Sequence, residues 1–280
     1  MDIAIRRDDT TGMSCTRSRP AWRATYPNEN GEHPIRFGFR DTPPDYFIDC
    51  GKCEGCRSRQ RSDWGVRMYH ESKSWDRNSF VTLTYDDQHL KPFLDKQDLQ
   101  YFIARLRKKS NRKIRYYAVG EYGEQTKRPH YHAIIFNEDF LGGAYDITSE
   151  LYGNKILENI WGMGQVSVAP FTPATAMYVA GYTAKKINDL DTFSIQSRSP
   201  PIGMEWLRQN HDNIRRNENI IVEGVPHPIP KVYLNWLKGT QTFAHIKENL
   251  AEKIKPINDQ KCEAKRLNYK ARINLKKERI

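Results

Sequence analysis

Residues Arg128–Phe136 read R-P-H-Y-H-A-I-I-F, two histidines around one aromatic and then an apolar run. In an extended chain, residues two apart face the same way, so His130 and His132 share one side while Tyr131 points to the other. Two imidazoles so placed form a bidentate clamp for a metal ion; the simpler alternative is a pair of polar residues on a solvent face. The segment before it, I-R-Y-Y-A-V-G-E-Y-G, is rich in β-branched and aromatic residues and reads as a second strand. Only the polar stretch E-Q-T-K-R-P separates the two, so they should pair antiparallel. Glu121 then falls on the imidazole face if the register is odd, with Glu124 as the competing ligand. Two imidazoles and a carboxylate leave coordination positions open for substrate oxygen and water. Mg²⁺ generally prefers oxygen, and two imidazoles also suit Mn²⁺.

Working outward, Arg57–Trp75 has helical composition, and S-F-V-T-L-T-Y-D (Ser79–Asp86) reads as a strand. Asp95 can cap a helix in which Leu99, Phe102, Ile103 and Leu106 repeat at helical spacing, with Leu94 and Leu99 as a staple, ending near Lys109. Between Tyr101 and Arg115 lie seven basic residues and no acidic one. That surface is either a phosphate-binding face or a solvated helix end whose charges suit the dipole. A mixed helical region is expected over 149–161, a strand over G-Q-V-S-V-A-P-F, and a helix from Thr172-Pro173 through Lys186. The order strand, helix, strand, strand, helix, strand, helix predicts an α+β fold: an antiparallel sheet with helices on one face, the split-βαβ arrangement. Three regions are expected: an N-terminal arm (1–76), a core (77–190) and a basic C-terminal extension (191–280).

The chain has 280 residues, a formal net charge of +11 and a pI near 9.3. Such a cationic excess points to a polyanionic partner, nucleic acid ahead of an acidic membrane surface. No run approaches the roughly 20 apolar residues of a spanning helix, and the N-terminus lacks the apolar core of a signal peptide, so a cytosolic location is expected. Three of five cysteines, Cys50, Cys53 and Cys56, fall in C-G-K-C-E-G-C. In a reducing compartment this favours metal or thiol chemistry over disulfides. Tetrahedral zinc needs a fourth ligand, and Cys15 is the other cysteine in the irregular N-terminal part, with Cys262 in the basic tail the weaker partner. An iron–sulfur cluster and unligated thiols are the alternatives.

In Y-V-A-G-Y-T-A-K-K, Tyr178 and Tyr182 are four apart and share a helix face, with Lys185 and Lys186 a turn further on. A phenol is a poor nucleophile unless deprotonated, and a nearby ammonium favours the phenolate. Packing tyrosines and a basic helix end are the structural alternatives. Gly181, between the tyrosines, weakens helix propensity there.

F-V-T-L-T-Y, then V-G-E-Y-G-E with H-Y-H, then Y-V-A-G-Y-T-A-K-K resemble, in order, the three motifs of the HUH endonucleases that initiate rolling-circle replication. The likeness is nearest to the replication initiation proteins of the gokushovirus group of the Microviridae, and it covers roughly Cys15 to Trp236. The resemblance implies a five-stranded antiparallel sheet, a ferredoxin-like palm, with the histidine pair on a central strand. It further implies Mg²⁺ or Mn²⁺ at His130, His132 and Glu121, and a tyrosine helix across the sheet. In such enzymes the metal polarises the scissile phosphate while tyrosine attacks phosphorus, leaving a 5′-phosphotyrosine and a free 3′-hydroxyl. Tyr182 matches the Y-x-x-K form and is the expected primary nucleophile, Tyr178 the second, with Lys185 and Lys186 gripping phosphate or stabilising phenolate. The implied partners are single-stranded origin DNA and host replication proteins, in the bacterial cytoplasm. The rivals are a non-catalytic zinc-containing nucleic-acid-binding protein and a related HUH transposase or relaxase.

Overall fold

The computed structural model describes residues 15–38, 42, 44–123, 125–148, 151–185, 192–217, 219–253 and 267. In chain order the elements are β1 (Arg19–Arg23), β2 (Ile35–Phe37), β3 (Tyr46–Ile48), α1 (Glu54–Ser72), β4 (Asn78–Thr84), α2 (Lys96–Lys109), β5 (Arg115–Tyr122) and β6 (Pro129–Phe136). They continue with β7 (Ala144–Asp146), β8 (Tyr152–Asn154), α3 (Lys155–Trp161), β9 (Val166–Pro170), α4 (Pro173–Lys185), β10 (Phe193–Gln196) and α5 (Met204–Asn217). The last are β11 (Ile220–Val222), β12 (Val225–His227), α6 (Lys231–Trp236) and α7 (Gln241–Lys253). Among the described residues, no helix is long and apolar enough to cross a membrane. The chain divides into two units, one of residues up to Arg59 together with those from Phe243, the other Gln60–Thr242.

In the first unit, the segment expected to be irregular forms a small antiparallel sheet of order β2-β1-β3. Its strands are too short to show a period, and only Ala21 and Trp22 of β1 are buried. The Trp22 indole donates to the Thr42 carbonyl at 3.0 Å.

The second unit is built on a seven-stranded sheet, all of its pairs antiparallel, in the order β10-β5-β6-β4-β9-β8-β7. The five strands β10 to β9 carry the expected palm, and the β8–β7 hairpin extends it. That hairpin and α3 replace the mixed helical region expected over 149–161. Asn154 ends the strand and starts the helix, its side-chain oxygen accepting from Leu157 N–H (3.0 Å) and its amide donating to the Phe140 and Gly142 carbonyls.

One face of the sheet presents Val81, Leu83, Ala118, Tyr131, Ala133 and Ile135 to α2 and α3. This is the helical layer the sequence predicts, and α2 begins where expected, with Asp95 accepting from Gln97 N–H at 2.8 Å. Tyr131 anchors it, its hydroxyl 2.7 Å from that of Tyr85 and donating to the Asp95 carbonyl at 2.9 Å. The opposite face presents Tyr117, Val119, Ile134 and Phe136 to α4 and to Met68 of α1. At Gly65 a Cβ would sit 2.3 Å from the Met177 sulfur, so the absent side chain is what lets α1 and α4 approach so closely.

His70 of α1 is 1% exposed and stacks on Trp206 with centroids 3.4 Å apart. Its Nδ1 accepts from the Tyr233 hydroxyl at 3.0 Å. Burial, seconded by the charge of His227, draws its pKa down to about 3. The unfolded chain takes up this proton near pH 6.5 and the folded chain only near 3, so stability is lost as pH falls through that window. Urea unfolding at about pH 7.5 and pH 5 should show the wild type losing roughly 2 kcal/mol more than His70→Gln.

Candidate metal centre and tyrosine helix

The β5–β6 register sets Glu121 opposite His130 and Val119 opposite His132. Directly paired residues share a sheet face, so the carboxylate and both imidazoles project together. From the other side, β4 brings Thr82 opposite His132 and Thr84 opposite His130. Glu121 Oε1 lies 2.9 Å from His130 Nε2 and 3.0 Å from His132 Nε2. The far nitrogens are held too: His130 Nδ1 is 3.2 Å from the Arg128 carbonyl, and His132 Nδ1 is 3.0 Å from Thr82 Oγ1. A carbonyl only accepts, so His130 Nδ1 carries a proton and Nε2 is the lone-pair nitrogen of the neutral ring. A threonine hydroxyl can accept as well as donate, which allows His132 the same tautomer.

Without a cation the cluster is a hydrogen-bonded ion network. Burial alone would raise the Glu121 pKa, but hydrogen bonds from both histidines outweigh it and hold the carboxyl at about 2. Burial also works against charge on His130, and there the Glu121 hydrogen bond wins and raises the pKa. For the more deeply buried His132, burial prevails and the pKa falls. Two Nε2 atoms and one carboxylate oxygen, converging within 4.8 Å with both Nδ1 atoms anchored, form a donor set that suits a divalent ion.

Over this face lies α4. Thr172 starts it by accepting from Thr175 N–H at 3.1 Å, with Pro173 at the first helical position. Ala176, Val179 and Ala180 pack on the sheet, and the helix continues through Gly181 to Lys185. The Tyr182 ring stacks on His132, with centroids 5.5 Å apart and planes 16° apart. Tyr178 meets His132 edge-on at 5.4 Å and Tyr182 at 4.9 Å, and is 46% exposed. The Tyr182 hydroxyl is hydrogen-bonded to Glu121 and Tyr178. Burial first, then those two groups, push its pKa well above that of a free phenol.

The structure thus brings together His130, His132, Glu121, Tyr178 and Tyr182. Lys185 is the last residue of α4; Lys186, Glu124 and Cys262 lie outside the described residues. Thr82, which fixes the His132 ring, escaped the sequence reading. Its signal was the T-L-T alternation of β4, which needs the strand pairing to be interpreted.

In the first unit Cys15 joins Cys50, Cys53 and Cys56, all four free, with sulfurs within 4.8 Å of one another. The Cys53–Cys15 and Cys50–Cys56 pairs are 3.8 and 4.0 Å apart, near the edge of a tetrahedron with Zn–S bonds of about 2.3 Å. Backbone N–H groups of Lys52 and Cys53 donate to Cys50 Sγ at 3.4 and 3.3 Å. Burial raises the thiols of Cys15, to about 11, and of Cys56. It would raise Cys53 too, but hydrogen bonds, chiefly from backbone N–H, outweigh it and leave that thiol at about 6. Four crowded thiols of which one ionises readily form a set that a cation would complete.

The fold and these two side-chain clusters define an α+β protein with two candidate metal centres. Residues 78–187 match the family model of the phage replication-associated protein ORF2. Replication-associated protein VP4 of Bdellovibrio phage phiMH2K is 36% identical over 231 residues, covering 75% of this chain and 73% of that protein. Replication-associated protein ORF4 of Chlamydia phage 1 is 30% identical over 214 residues, 68% of this chain and 53% of that protein. Replication-associated protein ORF2 of Spiroplasma virus 4 is 33% identical over 196 residues, 62% and 61% respectively. The chain belongs to this family of phage replication-associated proteins. No solved structure matches it.

Proposed function

We propose that this chain is a replication initiator that nicks single-stranded DNA at a phage origin by attack of Tyr182 and later rejoins the strand. The observation that carries the reading is the Tyr182 hydroxyl, hydrogen-bonded to the carboxylate that joins the two imidazoles. A divalent ion, Mg²⁺ or Mn²⁺, bound by His130, His132 and Glu121 would supply positive charge for the phosphate oxygens and for a developing phenolate. The residues do the rest. His132 holds the Tyr182 ring in place by stacking, and Glu121, as acceptor of the phenol hydrogen bond, is the base nearest its proton. The Tyr182 oxygen forms the new bond to phosphorus, the bond to O3′ breaks, and that oxygen leaves as a 3′-hydroxyl after taking a proton. The phosphotyrosine conserves the phosphodiester's energy, so a 3′-hydroxyl can reverse the step without ATP.

Tyr178 provides a second phenol on the same face. While Tyr182 holds one 5′ end, Tyr178 can cut the regenerated origin and release the 3′-hydroxyl that resolves the first link. Lys185, and Lys186 beyond it, would grip phosphate. Zn²⁺ at Cys15, Cys50, Cys53 and Cys56 would hold the first unit together. The setting is the host bacterial cytoplasm, with host replication proteins extending the 3′ end.

Incubation with single-stranded origin DNA and Mn²⁺ should give a covalent adduct on a denaturing gel, mapped by mass to Tyr182. Tyr182→Phe keeps the ring and should keep binding while lowering adduct yield at least roughly 100-fold. Cleavage should vanish in a His130→Ala, His132→Ala double variant even with added Mn²⁺. Unchanged adduct in either variant removes the corresponding role, and binding without any adduct favours the non-catalytic rival. Thr82→Val should weaken Mn²⁺ binding by roughly 10–100-fold in calorimetry with little change in melting temperature. Metal analysis should find about one zinc ion per chain and its loss in Cys53→Ser.

A further inference from the structure

Six cations, Lys96, Arg107, Arg112, Lys113, Arg115 and Arg198, line a groove of about 860 Å³ between α2, the start of β5 and the end of β10. Among the described residues no carboxylate lines it. Two of the six are neutralised: Arg115 is paired with buried Glu71, and Arg112 lies 3.7 Å from Glu138. Arg107 is aimed rather than neutralised. Its guanidinium is held by the Ile114 carbonyl and Ser197 hydroxyl, each at 3.3 Å, and lies 5.1 Å from the Tyr116 ring centre. Lys96, Lys113 and Arg198 are exposed and form no ion pair among the described residues. Tyr116 packs on the sheet face opposite Glu121 and five residues along β5, so the groove is roughly 17 Å along the strand from the candidate metal centre.

We propose that this groove binds the phosphate backbone of duplex DNA flanking the nicked strand. Lys96 and Arg107 are eleven residues apart on α2, so the cations extend over roughly 17 Å. That exceeds the phosphates of one nucleotide and matches about five successive phosphates of a B-form strand at 3.4 Å each. Single strands are generally held by exposed aromatic rings on which bases stack. The groove offers none: its one aromatic, Tyr116, is half-buried beneath Arg107. Backbone charge is what remains to be recognised, without base readout.

The proposal goes beyond the nicking reading and is tested by binding alone, so failure of cleavage leaves it readable. The probe is a duplex of about 20 base pairs carrying a single-stranded origin tail, and its control is the tail alone. Anisotropy titrations over a salt series compare the full chain with a Lys96→Ala, Lys113→Ala, Arg198→Ala variant. The variant should bind the tailed duplex more weakly, with its log K against log[salt] slope shallower by roughly 2 to 3. Its affinity for the tail alone, and its adduct yield on that tail, should be unchanged. Three other exposed cations, replaced as Arg36→Ala, Lys52→Ala and Lys108→Ala, should shift the slope less. An unchanged affinity and slope on the tailed duplex overturns the proposal. So does an equal loss on the tail alone, which places a single strand in the groove, or an equal slope change in the control variant, which makes the effect one of net charge.

Discussion

The structure of the candidate site depends on one register, the pairing of Glu121 with His130 across β5 and β6. A slip of one residue would turn the histidines to the other face and leave the carboxylate alone. The opposite face helps to prevent it. Tyr131, between the histidines, is fully buried and bonded to Tyr85 and to the backbone of Asp95, so a shift would break that network as well as the packing of Ala133 and Ile135. The residue separating the two imidazoles is therefore the one that fixes which way they point.

Burying a carboxylate and two imidazoles is costly unless each finds partners. Here every ring nitrogen is engaged, and Glu121 takes both Nε2 contacts on one oxygen. α4 then closes over the cluster without filling it. Its small residues, Ala176 and Ala180, bring the backbone near the sheet, while Tyr178 and Tyr182 reach past them to the histidines. The close α1–α4 contact at Gly65 holds that helix from behind.

Much of this was legible in the amino-acid sequence, because β4, β5, β6 and β9 alternate or carry continuous apolar runs and α2 has a cap followed by a repeating apolar stripe. The H-Y-H triplet announced its own geometry, and the short polar connection announced the hairpin. What escaped was short or cooperative. β1, β2, β3, β7 and β8 are three to five residues long, too few for a period, and are held by pairing and by single residues such as Trp22 and Asn154. The role of Thr82 exists only once β4 lies beside β6. Likewise the basic run near α2 resolves only in space into buried Arg115, a carbonyl-bonded Arg105 that closes the end of α3, and cations facing the groove.

The central claim is that one divalent ion sits where the two imidazoles, Glu121 and the Tyr182 phenol converge. Crystals grown with Mn²⁺ and measured at an anomalous-scattering wavelength test it most directly. The account predicts a single peak on this sheet face, bonded to His130 Nε2, His132 Nε2 and Glu121, with the Tyr182 hydroxyl beside it. Manganese bound elsewhere, or the Tyr182 hydroxyl turned away from the three ligands, would contradict it.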